Sequence, residues 1–121
     1  MKGEFQMLNF RKRLELIEEK KKDELARIER KLDVVIEEVL LALEKISYID
    51  YSKVKSIIFS IDTDDCKVIT VRTQNTILLL RKEINDTDIF FMLKILHEKL
   101  ISEKVSAKFL DSYNLEVKIK E

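Results

Sequence analysis

The sequence has very little of what usually bends or cross-links a chain: one glycine, no proline and one cysteine among 121 residues. Its turns must therefore be formed by Asp, Asn, Ser and Thr, and we expect few and short loops. The single cysteine, Cys66, excludes an internal disulfide and favours a reducing compartment. A chain with one glycine can hardly build a phosphate-binding loop, a dinucleotide fingerprint or a nucleophile elbow, and none of these motifs is present.

Long apolar runs are also missing. No stretch approaches the roughly 20 apolar residues that a membrane-spanning helix needs. Residues 1–13 lack the apolar core of a signal peptide, so we expect a cytoplasmic protein. The abundance of Lys, Glu and Ile is a thermophile-like composition, which indicates a source rather than a function.

Charge is balanced overall but unevenly distributed. Lys and Arg together number 23, as do Asp and Glu. Residues 11–31 hold nine basic and six acidic residues, which gives +3, whereas residues 33–50 hold one and five, which gives −4. An N-terminal helix would therefore be electrically bipolar.

Apolar residues between positions 7 and 46 recur at intervals of three and four, which predicts one continuous helix. Up to Leu32 the apolar stripe is as narrow as a coiled-coil seam, and beyond Leu32 it widens into the face of a core helix. A helical hairpin that turns at 18–24 is the alternative, although this segment lacks the Gly or Asn that usually closes such a turn. The predicted oligomer seam comprises Phe10, Leu14, Ile17, Lys21, Leu25, Ile28 and Leu32.

The periodicity changes to two after a short connector at 47–53. Apolar and β-branched residues then predict three strands, at 56–62, 66–73 and 76–84. The separators between them are short enough for hairpins. The third strand is apolar on both faces, so we expect it to lie in the centre of the sheet.

A second helix is predicted at 89–104, with N-cap residues at 85–88. Two further strands flank the turn at 111–114, and the last of them, 115–121, alternates apolar and charged residues like a half-buried edge strand. The predicted order is therefore α-β-β-β-α-β-β, an antiparallel sheet with packed helices of the α+β class.

We divide the chain into two parts that form one cooperative unit. Residues 1–46 are a long, partly protruding oligomerisation helix, and residues 47–121 are a small α+β domain. Phe90, Phe91 and Met92 exceed what one sheet face can bury, and we interpret them as an interface patch.

Few residues could carry chemistry. The carboxylates at 62–65 suit Mg²⁺ or Ca²⁺, but an EF-hand loop starting at Asp62 would place Lys67 and Thr73 where Gly and Glu are required. We therefore interpret this segment as an Asp-rich turn. A lone histidine, His97, excludes a His-based zinc site, and we expect it to be a partly buried structural residue. We expect Cys66 to be a small packing residue at the start of a strand, and we predict no catalytic residue, metal site or cofactor.

The leading hypothesis is a non-enzymatic, homo-oligomeric interaction or scaffold protein that associates through its long helix. Another protein could be a further partner. We favour antiparallel helices in a homodimer, because a parallel pair would place +3 against +3. An antiparallel pair would set residues 11–31 against residues 33–50, which are opposite in sign. Lys21 lies on the seam itself and would specify register at some cost in stability.

Two rival hypotheses come from other classes of protein. One is an Mg²⁺-dependent nuclease that uses Asp111, Glu116 and Lys118, because an acid-x-Lys element on a strand is typical of such enzymes. The same spacing also occurs elsewhere in the chain, which weakens the motif. The other is a dimeric regulator that binds nucleic-acid phosphates, although acidic residues interleave its basic ones. Its predicted contacts are Arg11, Lys12, Arg13, Lys20, Lys21 and Lys22.

Overall fold

The protein is described from a computed structural model, which covers the backbone of residues 2–50 and 54–119 and the side chains of residues 9–46, 54–85 and 87–119. The predicted α+β class and element order are confirmed. Within the described residues, no helix combines the length and apolar character needed to cross a bilayer. The elements are α1 (Lys2–Asp50), β1 (Ser56–Ile61), β2 (Val68–Thr73), β3 (Leu78–Glu83), α2 (Asp86–Ser102), β4 (Ala107–Asp111) and β5 (Asn114–Lys118).

Helix α1 is continuous over 49 residues, which corresponds to a length of roughly 70 Å. The hairpin alternative at 18–24 is therefore wrong, as expected for a segment without a glycine or proline to interrupt the backbone hydrogen bonds. The helix also extends through residues 47–50, so the prediction of a connector there is wrong. The rest of that connector, 51–53, lies outside the described residues.

The five strands form one antiparallel sheet in the order β3-β2-β1-β5-β4. The prediction that the third strand is central is wrong, because β1 pairs with both β2 and β5 and leaves β3 at an edge. Its apolar residues have another explanation: α1 packs against β3, and a bulge inserts Leu79 between the partners of Val71 and Arg72. Leu78 is half exposed, at 50%.

The final strand is interior rather than an edge, since β5 lies between β1 and β4. Its predicted alternation is confirmed, with Leu115 and Val117 buried and Lys118 exposed. Residues 120–121 of the predicted strand lie outside the described residues. A sequence pattern reports which side of a strand is buried, but not how many neighbours the strand has.

Both helices cover the same face of the sheet. Ile57, Phe59 and Ile61 alternate along β1 and belong to the core. Their apolar cross-strand neighbours also belong to it, namely Ile69 and Val71 on β2 and Leu115 and Val117 on β5. Helix α2 packs across β1, β2 and β4, and α1 packs against α2 and β3. The helices complete the core with Leu32, Val35, Val39 and Leu43 from α1 and Ile89, Met92, Leu93 and Leu96 from α2.

Polar residues rather than glycine form the capping structures at both ends of helix α2. The Asn85 side chain caps the first turn by accepting a hydrogen bond from the Thr87 amide at 3.0 Å, as predicted. At the other end Lys104 adopts a left-handed conformation with φ of 63°. The amides of Lys104 and Val105 bond to the carbonyls of Ile101 and Leu100, a Schellman motif usually formed by glycine.

Candidate functional site

The predicted seam of α1 lies in two different environments. Its last two members, Ile28 and Leu32, are buried in the core of their own chain at 6% and 1% exposure. Its four earlier apolar members are between 44% and 64% exposed, and Lys21 between them is exposed as well. We call the exposed part the exposed stripe, which comprises Phe10, Leu14, Ile17, Lys21 and Leu25.

The exposed stripe lies on the same helical face as the buried residues that follow it. Its spacing of three and four residues continues without a break from Leu25 through Ile28, Leu32 and Val35, and such positions stack on one side of a helix. The core-facing side of α1 therefore runs on past the end of the domain. On the N-terminal side of Leu25, no described part of the chain buries this face of α1.

An apolar groove of about 500 Å³ lies where α1 leaves the domain and passes α2. We call it the α1–α2 groove. The apolar side chains that line it come from both helices, and polar groups from both helices complete it. Its apolar lining is Ile17, Leu25 and Ile28 from α1 and Phe91 and Ile95 from α2, and its polar lining is Lys20, Lys21, Glu24, Thr87 and Asp88.

The predicted interface patch is divided among three environments, because successive helix residues point in different directions. Met92 is fully buried in the core, so it is not part of a surface. Phe90 is 43% exposed, but it packs edge-on against Tyr113, with ring centroids 6.1 Å apart. Only Phe91, at 57% exposure, lines the α1–α2 groove, where it meets the exposed stripe.

An ion-pair cluster at the end of the groove fixes α2 to α1. The carboxylate of Asp88, 4% exposed, accepts hydrogen bonds from both terminal nitrogens of Arg27 at 2.8 Å and from Lys31 Nζ at 2.7 Å. Asp88 is in the first turn of α2, where the helix dipole favours a negative charge. Phe91 and Ile95 follow it at intervals of three and four on the same face. The cluster therefore holds the groove-lining side of α2 against α1.

The cluster also sets the charge states of its members. The hydrogen bond from Arg27, followed by that from Lys31, holds the pKa of Asp88 well below its ordinary value. The same contact to Asp88, together with one to Glu24, raises the pKa of Arg27 above its ordinary value. Both groups are thus charged at neutral pH, and the contact between the helices persists across the physiological range.

Sequence reasoning missed this cluster. Arg27 and Lys31 are spaced four apart on α1, which could have been recognised as a paired basic site. Asp88 was considered only as a capping residue. Nothing in the sequence alone joins positions that are 57 and 61 residues apart.

The basic residues proposed to contact nucleic acid do not form one patch. All six are exposed, but they occupy consecutive positions at 11–13 and 20–22, and consecutive residues point about 100° apart around a helix. The two clusters therefore project on all sides of α1 rather than along one side. Lys20 and Lys21 also line the α1–α2 groove.

The acidic segments predicted as turns have turn geometry. Asp62 accepts hydrogen bonds from the amides of Asp64 and Asp65 at 2.9 and 3.4 Å. Asp111 accepts from the Tyr113 amide at 2.8 Å, and this bond and those from Asn114 lower its pKa. Across the described part of the chain, no three Asp, Glu, His or Cys residues are placed to hold one metal ion.

Two single residues were singled out by the sequence. His97 is half-buried, as expected, and its ring centroid lies 5.0 Å from that of Phe109. Cys66 is exposed, so the expectation that it packs in the fold is wrong. The strand begins only at Val68, and Cys66 belongs to the turn before it.

The predicted antiparallel pairing of residues 11–31 with residues 33–50 cannot be made through the seam face of α1. Between Ile28 and Leu43 the seam face of α1 is buried against its own domain. The seam of a second copy therefore cannot pack there, and an arrangement that sets residues 11–31 against residues 33–50 cannot use this face. A seam contact has to be made by the exposed stripe and the groove beside it.

Comparisons with protein-family models, curated proteins and solved structures found no match to this chain. Its function is therefore inferred from the exposed stripe and the α1–α2 groove.

Proposed function

We propose that this protein is a non-enzymatic interaction protein that self-associates through its N-terminal helix. The observation that supports this is the exposed stripe, whose four large apolar side chains share one helical face and remain 44–64% exposed. Single exposed apolar residues are ordinary, but a contiguous stripe that leads into an apolar groove is typical of an interface.

An estimate of the free energy of association indicates that burying the exposed stripe alone is not enough for a stable dimer. Burying the exposed half of a Leu, Ile or Phe side chain contributes on the order of 1 kcal/mol, so the eight side chains of a symmetric pair contribute roughly 8 kcal/mol. Association itself costs an estimated 4–15 kcal/mol. Two stripes alone would therefore make at best a weak dimer. The further apolar surface of the α1–α2 groove is what makes a stable one feasible.

The first test is the solution mass of the full chain, measured by light scattering on a sizing column at two salt concentrations. We expect twice the chain mass at micromolar concentration. Leu14→Asp should return the protein to a monomer, because it places a charge in the exposed stripe. A matched control is Leu16→Asp, since Leu16 is similarly exposed, at 53%, but lies on the opposite side of the helix. A wild-type monomer would rule out self-association.

The rival proposal is a dimeric regulator that binds nucleic acid. Its supporting observation is that six basic side chains are exposed on the projecting half of α1. Replacing Lys20, Lys21 and Lys22 by Glu separates the two proposals. Binding to a generic duplex would weaken greatly and its dependence on salt would become less steep if these lysines contact phosphates. If the wild type shows no binding at low salt, the rival is wrong.

A further inference from the structure

We infer that the α1–α2 groove is a binding site for a small amphipathic carboxylate, such as a medium-chain fatty acid. The apolar part of the ligand lies between the two helices, and its carboxylate lies at the rim of the groove beside Lys20 and Lys21. The inference goes beyond the proposed self-association and does not depend on it. It follows from the size and lining of the groove, from the ion pairs of its acidic groups and from the two lysines.

The groove has the size and composition of a small-molecule site. Its walls come from two helices, with Leu25 and Ile28 on α1 and Phe91 and Ile95 on α2, so a ligand is contacted from two sides. The volume is about 500 Å³, and ligand pockets usually measure roughly 300–1,000 Å³ and are mostly apolar with a few polar groups. One turn of a partner helix would already occupy about 400–600 Å³. The groove therefore accommodates the whole of a small ligand but only a single turn of a helix.

The acidic groups of the groove do not oppose an anionic ligand, because they are already paired. Asp88 contacts Arg27 at 2.8 Å and Lys31 at 2.7 Å. Glu24 accepts two hydrogen bonds from Arg27, one from a terminal nitrogen at 2.6 Å and one from Nε at 3.3 Å. Two carboxylates are thus matched by two cations, and their charges balance.

Lys20 and Lys21 supply the charge that is left over at the groove. Both line it and are exposed, and neither forms an ion pair with the part of the chain that the structure describes. A lysine can lay its aliphatic stem along apolar surface and keep its ammonium in water. The groove therefore combines an apolar interior with a positively charged rim, which is complementary to an apolar chain that carries one carboxylate.

Calorimetric titration with decanoate, below the concentration at which it forms micelles, tests the site. The full chain carries Leu14→Gln, a neutral change in the exposed stripe, and light scattering checks that it is monomeric, so that no second copy covers the groove. We expect one bound decanoate per chain. The affinity should rise about two- to fourfold for each CH₂ added between hexanoate and decanoate. No measurable binding of decanoate to this monomer overturns the inference.

Charge substitutions in the same background test the rim. Lys21→Glu should weaken the binding of decanoate about five- to tenfold. Lys22→Glu is the matched control, since Lys22 points about 100° further around the helix and does not line the groove, and it should change the affinity less than about twofold. Decanol, which lacks the carboxylate, should bind more weakly than decanoate. Equal effects of the two substitutions, or equal binding of decanol, would overturn the inference.

A pair of phenylalanine substitutions tests the location. Phe91→Ala should weaken the binding of decanoate about tenfold, because it removes much of the α2 wall. Phe90→Ala is the control, since Phe90 packs against Tyr113 and does not line the groove, and it should change the affinity less than about twofold. If decanoate binds Phe91→Ala as tightly as the parent, the ligand lies elsewhere on the protein and the assignment to the groove is wrong.

Discussion

Apolar residues recur at intervals of three and four through both halves of α1, yet the two halves meet different surroundings. Leu32 in the second half is 1% exposed, and Leu14 in the first half is 47% exposed. The difference arises from the rest of the chain. Among the described residues, α1 contributes to the core from Ile28 onward, and the stripe residues before Ile28 line the α1–α2 groove or are exposed. A helical pattern therefore specifies which side is to be covered, and the length of the domain decides how much of it is covered within one chain.

The largest expected difference in the free energy of unfolding is between the same Leu→Ala substitution made in the two halves of α1. Leu32→Ala should lower the free energy of unfolding by about 2–5 kcal/mol, because it leaves a cavity in a packed core. Leu14→Ala should lower it by less than about 0.5 kcal/mol at concentrations where the chain is monomeric. Urea denaturation monitored by circular dichroism measures both. Equal losses would mean that the first half of α1 is packed against its own chain.

The junction between the two halves is the next place to test. Asp88→Ala should destabilise the fold by roughly 1–3 kcal/mol, because it leaves Arg27 and Lys31 without their shared carboxylate. The affinity of the dimer should fall as well, since the α2 wall of the groove loses its fixed position. Asp111→Ala, in an exposed turn, is the control and should cost less. An unchanged urea midpoint for Asp88→Ala would show that the cluster does not hold the helices.

The same cluster predicts how stability depends on pH. The pKa of Asp88 is lower in the folded state than its ordinary value of 3.8. Its contribution is therefore complete above that ordinary value and is lost as the pH falls below it towards the folded pKa. Asp88→Asn should give a shallower loss of stability than the wild type between about pH 5 and pH 2. Urea midpoints across that interval measure the slope, and parallel curves would contradict the assignment.

Much of this fold was predictable because local signals carry it. The spacing of three and four from Phe10 to Ile46 predicted α1. The candidate cap residues at 85–88 predicted that α2 begins at residue 89, three residues after its observed start at Asp86. The order of strands was not predictable in the same way, since β1 pairs with β5 across most of the domain. The apolar run at β3 suggested a central strand, but α1 was the element that covered it.

The candidate site was predictable only in parts. The stripe and Phe91 were each identified from apolar excess, but their meeting in one groove depends on how α2 docks. That docking depends on Asp88, whose partners lie 57 and 61 residues away. For Met92 the prediction of surface exposure is wrong. Met92 follows the exposed Phe90 and Phe91 in the sequence, but its side chain is buried. Adjacent helix positions differ in direction, and only the packing shows which one points inward.

The smallest effect is expected at an exposed ion pair between α1 and β3. Lys82 on β3 contacts Glu38 at 2.9 Å, and their side chains are 34% and 40% exposed, compared with 4% for Asp88. Water therefore screens this pair, and Lys82→Met should change the free energy of unfolding by about 0.5 kcal/mol or less, with the change vanishing at high salt. Urea denaturation at two salt concentrations measures it. A loss as large as that of Asp88→Ala would mean that the contact between Lys82 and Glu38 holds α1 to the rest of the domain as strongly as the Asp88 cluster does.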